Sequence, residues 1–423
     1  MNNRITAIIG AGVPLGFDSP NEKPSTSFIT ETVKKPYKDY QTQLPIKIVE
    51  EIYQRMKTQL PPDVNPWTGT AKPYVHFEML FHAMEMYLSY YHATHSKCSN
   101  PDIFPVFAPF ITLLPPYDIK DLYQIMPRFI RRIFDIIKSY DDYFANDGGR
   151  ENWYRNFFLN TDFQWDFFNL NYDTTLEQTF GESKYEDGFQ LISGKDYSEF
   201  VPQKLFLNSE SLPTINHLHG CIRYYYNRDH NGVSNDYRFE DIFKYHDSDA
   251  VRAMMVGRSQ SQQPNQTNEI LYAGPIITGL RKTDKLNCIP YDFYHANLYK
   301  TLFNSHRLFV AGYSFGDLYV NQQIERMGLL HGNNKRVVIV DYWNHKEIDE
   351  FGLEKYLTYS ISKKALQFLL IMCEETSVGN LINRLRFKDV NTPMYSDNGC
   401  VMLLVNGMKE ATKFKNDIYA FLI

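Results

Sequence analysis

The chain has 423 residues, of which 43% are hydrophobic and 22% are charged, as is ordinary for a soluble globular protein. A chain of that length is longer than a typical domain with a single hydrophobic core, so we expect more than one structural unit. The formal net charge of −5 argues against nucleic acid as a main ligand. Aromatic residues make up 15% of the chain and predict large cores or extensive subunit contacts.

Cysteine usage and hydropathy predict a cytoplasmic protein. No C-x-x-C pair occurs, which argues against a disulfide framework and favours a reducing compartment. Glycines interrupt the short apolar run near the start, so we expect no secretory signal. No uncharged apolar run reaches the roughly 18 residues of a membrane span, and we expect no membrane contact. The cysteines are Cys98, Cys221, Cys288, Cys373 and Cys400.

The first elements in chain order are a short buried strand and a long helical block. The strand RITAII runs directly into a glycine-rich turn. Residues 20–159 differ in character and are predicted to form a mainly helical insertion. In IKDLYQIMPRFIRRIFDIIKSYDDYF the apolar residues recur at roughly helical spacing, and Pro127 is expected to bend that helix or to begin its second part.

After this block, short apolar strands alternate with helices. The predicted strands are FQWDFFNLNYD, which ends in polar residues, LPTINHLHG, GPIITG, RLFVAGYS and KRVVIVDYW, and the predicted helices include PYDFYHANLYKTLFNSH and DLYVNQQIERMGLLHG. Nearly continuous apolar strands separated by helices are typical of a parallel sheet covered on both faces. We therefore predict an α/β protein with a Rossmann-like, doubly wound parallel sheet.

The domain division follows from these patterns. Residues 1–19 and 160–345 are predicted to form the core, within which residues 222–269 are expected to be a polar, loop-like stretch. Residues 346–423 are predicted to be a small C-terminal αβ appendage that contacts other subunits or partners.

Gly10-Ala11-Gly12 directly follows the first strand. Glycines there let the backbone approach a nucleotide pyrophosphate, and the amides of the turn face the anion. A tight strand-to-helix turn is the structural alternative, and Pro14 and the spacing to Gly16 differ from the usual dehydrogenase motif.

Polar residues follow three further strands. Asn171-Tyr172-Asp173 lies at a strand end, where open α/β sheets bind ligands and where turn-forming residues are also common. Gly312 and Ser314 precede a helix, so they are candidates for nucleotide contact, although Ser314 or Asp317 is equally suited to capping that helix. Asp341 ends another strand and is a candidate partner for a ribose hydroxyl.

Two histidine patterns resemble metal ligands, but we expect no metal at either. In INHLHGC, His217 and His219 project to the same side of a regular strand, and zinc would need two more ligands, for which Cys221 is one candidate. The pattern H-x-x-H-x-x-C at residues 92–98 has no convincing fourth ligand nearby and suits a solvated helix end.

Taken in order, these motifs resemble the sirtuin family. The resemblance implies that Asn171 and Asp173 match the N-x-D pair facing the nicotinamide end of NAD, and that His219 matches the catalytic histidine of an L-H-G turn. It implies that Gly312 and Ser314 match the G-x-S turn on the adenosine side. Gly10, Ala11 and Gly12 then form the first NAD-binding loop, in the core of residues 1–19 and 160–345.

The sequence differs from sirtuin deacetylases in two features, and these indicate which branch of the family it resembles. Sirtuin deacetylases carry two C-x-x-C pairs after the histidine, whereas only Cys221 lies between Gly220 and residue 275 here. Pro14 stands where the family has serine. This combination resembles the divergent, zinc-less sirtuin-like NADases of bacterial antiphage defence.

This resemblance implies an NAD⁺ hydrolase that releases nicotinamide and ADP-ribose when infection is sensed, without structural zinc. Alternatives are an NAD-dependent deacylase or ADP-ribosyltransferase, and a non-catalytic sensor of NAD or ADP-ribose. A free NADase would be toxic to its own cell. We therefore expect a homo-oligomer, with a HerA-type ATPase or another nucleotide-handling subunit as a possible companion.

Overall fold

The computed structural model describes residues 4–19, 25–35, 44–59, 63–64, 71–72, 75–95, 119–159, 161–207, 212–226, 242–255, 262–264, 270–272, 276–278, 285–286, 288–385 and 390–423. Its strands are β1 (Arg4–Ile9), β2 (Asp63–Val64), β3 (Ala71–Lys72), β4 (Gln164–Asn169), β5 (Phe189–Leu191), β6 (Tyr197–Phe200), β7 (Thr214–His217), β8 (Tyr224–Tyr226), β9 (Ile242–Tyr245), β10 (Gln262–Pro264), β11 (Ile270–Tyr272), β12 (Arg307–Ala311), β13 (Arg336–Val340), β14 (Met394–Tyr395) and β15 (Val401–Leu404). Its α-helices span Thr26–Lys34, Leu44–Gln59, Phe77–His95, Ile119–Ala145, Asn152–Phe158, Thr175–Phe180, Pro202–Leu207, Ser248–Met254, Tyr291–Asn304, Leu318–His331, His345–Phe351, Leu353–Lys355, Lys363–Cys373, Val378–Arg384, Gly407–Ala411 and Lys415–Leu422.

Seven strands form the central sheet, in the order β14–β15–β13–β12–β1–β4–β7. Every neighbouring pair is parallel except β14 with β15. Every residue of β12 and β15 is buried, as expected where helices cover both faces of a parallel sheet. The predicted Rossmann-like α/β fold is confirmed.

Alternating side chains of the sheet enter two separate cores. Ile8 and Val310 belong to the core on one face, whereas Ala7 and Phe309 belong to the core on the other. The second core is rich in aromatic rings, among them Phe158, which meets Phe167 edge-on at 5.0 Å between ring centroids. The large core predicted from the aromatic content is therefore present.

The sheet topology brings several loops to one edge. The strand order reverses at β1, which pairs with β12 on one side and with β4 on the other. In such sheets, ligands bind outside the carboxyl ends of the strands at this reversal. The loops after β1, β4, β7, β12 and β13 therefore leave the sheet at the edge where the sequence motifs were predicted to act.

The polar stretch at residues 222–269 was predicted to be loop-like, and this prediction is wrong for much of the part that the structure describes, residues 222–226, 242–255 and 262–264. It contributes β8 and β9 to a second, antiparallel sheet in the order β5–β6–β9–β8. Tyr224 is fully buried there, so its aromatic ring gives this strand a core-facing side that the polar composition concealed. The predicted strand GPIITG is also not seen among the described residues, where Ile276 forms only an isolated antiparallel bridge with Gly220.

The C-terminal region contributes to the central sheet. Residues 346–423 were predicted to be an appendage, yet β15 pairs in parallel with β13 along four residues. The helix Lys415–Leu422 buries Ile418 and Leu422 in the aromatic core. This region therefore completes the sheet and one of its covering layers, while the domain boundaries themselves stay a prediction.

The described part of the helical block is built around the helix Ile119–Ala145. This helix is continuous through Pro127, which was expected to bend it or to begin its second part. Its buried face packs in the same core as the helices Thr26–Lys34, Leu44–Gln59 and Phe77–His95. No helix in the described part of the chain combines the length and apolarity needed to cross a bilayer.

The end of this long helix docks on the loop after β4. The Tyr140 hydroxyl donates to Asp173 Oδ2 at 2.6 Å, and the Asp141 carboxylate accepts from the Thr174 backbone nitrogen at 2.7 Å. All of these groups are buried. Burial and the nearby charge of Asp173 together raise the pKa of Asp141 to about 7, against the opposing hydrogen bonds from Thr174.

We predict that Asp141→Asn stabilises the protein at pH 8 and that this gain shrinks towards pH 5. The pKa of Asp141 in the folded chain, about 7, lies above its ordinary value of 3.8. The folded state therefore keeps a proton that the unfolded state releases, and stability is lost as the pH rises from about 4 to about 7. The upper limit of the effect is about 4 kcal/mol.

Thermal melts at pH 5, 6, 7 and 8 measure this effect. Asp142→Asn is the matched control, because its side chain is 52% exposed and pairs only at the surface with Lys138. An Asp141→Asn protein that melts no higher than the parent at pH 8 would contradict the prediction.

Candidate functional site

Two glycine loops meet backbone to backbone at the edge of the sheet. The Gly12 nitrogen donates to the Gly312 carbonyl at 2.8 Å, and a Cβ on Gly12 would lie 2.7 Å from Gly312 Cα. Gly312 has a φ of +61°, and a Cβ there would lie 2.4 Å from the Val13 nitrogen. Only glycine fits both positions. Gly10 is buried, whereas Ala11 and Gly12 are exposed and can be approached by a ligand.

Asn171 joins this pair of loops from the neighbouring strand β4. Its side-chain Nδ2 donates to the Gly10 carbonyl at 3.2 Å, and its own backbone nitrogen donates to Asn169 Oδ1 at 3.0 Å. Asn171 is buried. Its amide is therefore fixed beside the first glycine loop, while its role towards NAD stays a prediction.

Asp173 is enclosed rather than open to the edge. Its carboxylate accepts from Tyr140 on one oxygen and from the backbone nitrogen and hydroxyl of Thr175 on the other. These contacts hold the loop that begins the helix Thr175–Phe180. A direct contact of Asp173 with the nicotinamide end of NAD stays a prediction.

His219 lies on the turn after β7 and is paired with a carboxylate. Its Nε2 lies 2.9 Å from Asp317 Oδ2, and the ring is buried. Gly220 adopts a φ of +104°, which lets the chain turn directly after the histidine. The His219 carbonyl accepts from the Ile277 nitrogen at 2.8 Å, so the backbone of this turn is fixed as well.

Asp317 has two functions, of which the sequence indicated only one. Its Oδ1 caps the following helix by accepting from the Tyr319 nitrogen at 2.9 Å, while Oδ2 faces His219. A carboxylate at Nε2 favours the proton on that nitrogen. The lone pair of the neutral ring is then on Nδ1, which can accept a proton from a substrate or a water molecule.

The remaining two predicted site residues differ in their surroundings. Ser314 is exposed, next to Gly312 on the loop after β12. The Asp341 carboxylate accepts from the Tyr342 nitrogen at 2.8 Å and from the Trp343 indole at 3.3 Å. Burial raises the pKa of Asp341 above its ordinary value. Its proposed contact with a ribose stays a prediction.

His217 lies behind the site in a buried cluster with Glu177 and Cys221. One ligand-type atom from each lies within 4.8 Å of the others, and His217 Nε2 is 2.8 Å from Glu177 Oε1. Burial lowers the pKa of His217, but the acidic groups of Cys221 and Glu177 together raise it well above its ordinary value. The ring is therefore a cation paired with Glu177. Its Nδ1 lies 3.5 Å from the Asn171 carbonyl, so this pair supports the loop that carries Asn171.

A carboxylate, an imidazole and a thiol are all ligand types for zinc. The Lys244 ammonium, however, lies 3.9 Å from Glu177 Oε1 and bonds to Asp187. Burial raises the pKa of Glu177, but His217 and Lys244 lower it to about 2 overall. This network balances its charges without an added ion and places a cation against the carboxylate. The expectation of no zinc stays a prediction.

One predicted pattern lies partly outside the described residues, and two contacts of the site histidines were not predicted from the sequence. In the H-x-x-H-x-x-C pattern, Cys98 and the side chains of His92 and His95 lie outside the described residues. Sequence reasoning missed the contact of Asp317 with His219 and the support of His217 by Glu177. The helix-capping position of Asp317 was the only available signal, because both contacts join segments far apart in the chain.

The comparison with protein families agrees with this geometry. Residues 166–360 match the model of the SIR2-like domain. They carry the loops after β4, β7, β12 and β13, whereas β1 and its glycine loop precede the matched range. A search of the curated proteins finds no match. This match supports a sirtuin-like fold for the chain and suggests an NAD-related activity.

Proposed function

We propose that the protein is an NAD⁺ hydrolase that cleaves the nicotinamide–ribose bond and releases nicotinamide and ADP-ribose. The observation that carries this proposal is the position of Asn171 beside Gly10 and of the His219–Asp317 pair at the same sheet edge. An amide and a histidine held by a carboxylate can together orient and deprotonate a water molecule.

Cleavage of this bond leaves its electron pair on the nicotinamide nitrogen and positive charge on the ribose ring, as in glycoside cleavage. Asn171 would orient a water molecule towards the ribose carbon, and His219 would take the proton of that water. Asp317 stabilises the positive charge that His219 then acquires. Positioning and electrostatics supply most of the acceleration in such a site.

The loops would hold the remainder of the dinucleotide. Gly10, Ala11 and Gly12 present backbone to the pyrophosphate, since the exposed part of this loop has no side chain beyond a methyl group. Gly312 and Ser314 would contact the adenosine side, and Asp341 a ribose. Asp173 would orient the carboxamide through the loop that it fixes.

Hydrolysis is favoured over acyl transfer by the sequence after His219. The two C-x-x-C pairs that accompany peptide binding in deacetylases are absent from the sequence. Nicotinamide release without an acyl peptide or a protein acceptor would support hydrolysis, whereas release that depends on either would indicate a deacylase or an ADP-ribosyltransferase. Binding of NAD⁺ without any product would indicate a sensor.

We further propose that the activity serves antiphage defence by depleting NAD⁺ and that assembly restrains it until a trigger arrives. Leu329 and Leu330 end the helix Leu318–His331 with side chains 82% and 52% exposed, and such apolar groups suit a subunit interface. A second copy of the chain is the first proposed partner. A HerA-type ATPase or another nucleotide-handling protein is the second.

We predict that His219→Ala and Asn171→Ala each lower NAD⁺ consumption by about 10²-fold or more, because each removes a group that prepares the water. Release of nicotinamide from NAD⁺ by the full chain is the measurement. His246→Ala and Asn380→Ala are the controls, since both residues are exposed and lie on segments outside the site. Parent-like rates in the site variants would refute the assignment.

We predict that Asp317→Asn lowers kcat by about 10²–10⁴-fold while the melting temperature changes little. Asparagine still caps the helix, but its amide cannot hold the proton on His219 Nε2 or stabilise the charged ring. The kcat and KM values and the pH profile of kcat are measured together. If kcat were unchanged, or if the loss matched a fall in folded fraction, Asp317 would only be a helix cap.

We predict that the purified chain is a homo-oligomer and that Leu329→Glu shifts it towards the monomer, because a charge would be buried in an apolar contact. Mass measurement across a dilution series, with and without the products of the neighbouring genes, is the test. Lys346→Glu, also an exposed site, is the control for added negative charge. A monomer under all conditions would remove the proposal of control by assembly.

A further inference from the structure

A second histidine ring lies beside the His219–Asp317 pair. His295 belongs to the helix Tyr291–Asn304 and is 6% exposed. Its ring meets the Tyr319 ring edge-on, with centroids 5.1 Å apart. Tyr319 is the residue whose backbone nitrogen Asp317 caps, so His295 packs on the same helix start that carries the partner of His219.

The helix carrying His295 is fixed to β7, the strand that directly precedes the turn of His219. Asn297, two residues further on, donates from Nδ2 to Asn216 Oδ1 of β7 at 3.1 Å. Asn216 precedes His219 by three residues. The position of His295 relative to the site is therefore set by a buried hydrogen bond.

Neither ring nitrogen of His295 makes a hydrogen bond of good geometry among the described residues, although the Leu218 backbone lies near enough to interact with the ring. Burial and the adjacent His219 together lower the pKa of His295 to about 4, against the opposing effects of Asp317 and the Leu218 backbone. The ring is therefore neutral at physiological pH, with one N–H donor and one lone pair. Buried polar groups in proteins are nearly always hydrogen-bonded, and a role in packing alone is better served by phenylalanine.

We propose that His295 is a binding residue of this site and that its neutral imidazole hydrogen-bonds to a ribose hydroxyl of the bound nucleotide. This inference rests on the proposed use of NAD⁺. A hydroxyl both donates and accepts, which matches a neutral ring that has one donor and one acceptor. A phosphate would instead favour a charged donor, and burial disfavours charge at this position.

ADP-ribose is the probe, because it keeps both riboses and lacks nicotinamide. His295→Phe keeps a planar ring and removes both nitrogens, whereas His295→Gln keeps a donor and an acceptor. We expect His295→Phe to melt at or above the temperature of the parent without ligand and to bind ADP-ribose about 10-fold or more weakly, as for one lost hydrogen bond. His295→Gln is expected to recover part of that affinity.

Calorimetric Kd values, melting curves and the KM for NAD⁺ are measured on the full chain. His331→Phe is the matched control, since its ring bonds to the Leu302 carbonyl on the side away from the sheet edge that carries the site. A parent-like Kd for His295→Phe overturns the proposal, as does a fall in its melting temperature, which would mean that the ring nitrogens are bonded within the protein.

The two proposals fail differently. A parent chain that binds ADP-ribose through His295 but consumes no NAD⁺ supports this inference and refutes hydrolysis. A parent that consumes NAD⁺ and is unaffected by His295→Phe refutes this inference alone. A parent that neither binds ADP-ribose nor consumes NAD⁺ refutes both.

Discussion

The geometry of the sheet edge depends on the contact between the backbones of Gly12 and Gly312. A side chain at either position would overlap the other loop, since the added atom would lie under 3 Å from its backbone. This contact fixes the loops after β1 and β12, which flank the point where the strand order reverses. Because the two loops are locked together, Asn171 can bond to the Gly10 carbonyl and take a defined position at the edge of the sheet.

Two histidine–carboxylate pairs lie near the edge of the sheet where these loops meet. His217 and Glu177 form a buried ion pair behind the site, and His219 and Asp317 form a second, less buried pair in front of it. Glu177 belongs to the helix Thr175–Phe180, and Asp317 caps the helix Leu318–His331. Each carboxylate contacts a histidine at or just after the end of β7. The rear pair holds the loop of Asn171 in place, whereas the front pair can exchange a proton with a ligand. The two histidines are two residues apart in sequence, yet they pair with carboxylates from different helices, and only His219 is proposed as catalytic.

The sequence allowed the prediction of features that depend on local pattern, namely the sheet strands and the residues at their ends. The strands that form the sheet appear as apolar runs, and glycine or polar residues mark their ends, so Gly12, Asn171 and His219 could be placed at one edge before their contacts were known. Contacts between distant segments could not be predicted this way. His295 has no distinguishing neighbours in sequence, and Asp317 is a typical helix cap. The buried strand at Tyr224 was missed because its burial depends on a second sheet whose strands have polar neighbours.

The loop carrying Asn171 and Asp173 also joins the core to the helical insertion. Asn171 bonds to the first glycine loop, and Asp173 accepts a hydrogen bond from Tyr140 of the long helix. Asp141, the next residue of that helix, holds the Thr174 backbone with a carboxylate whose pKa burial raises to about 7. A buried carboxylate of this kind is costly to keep charged, and the hydrogen bonds from Thr174 offset part of that cost. The long helix and the first glycine loop therefore both hold this loop, the helix through Asp173 and the glycine loop through Asn171.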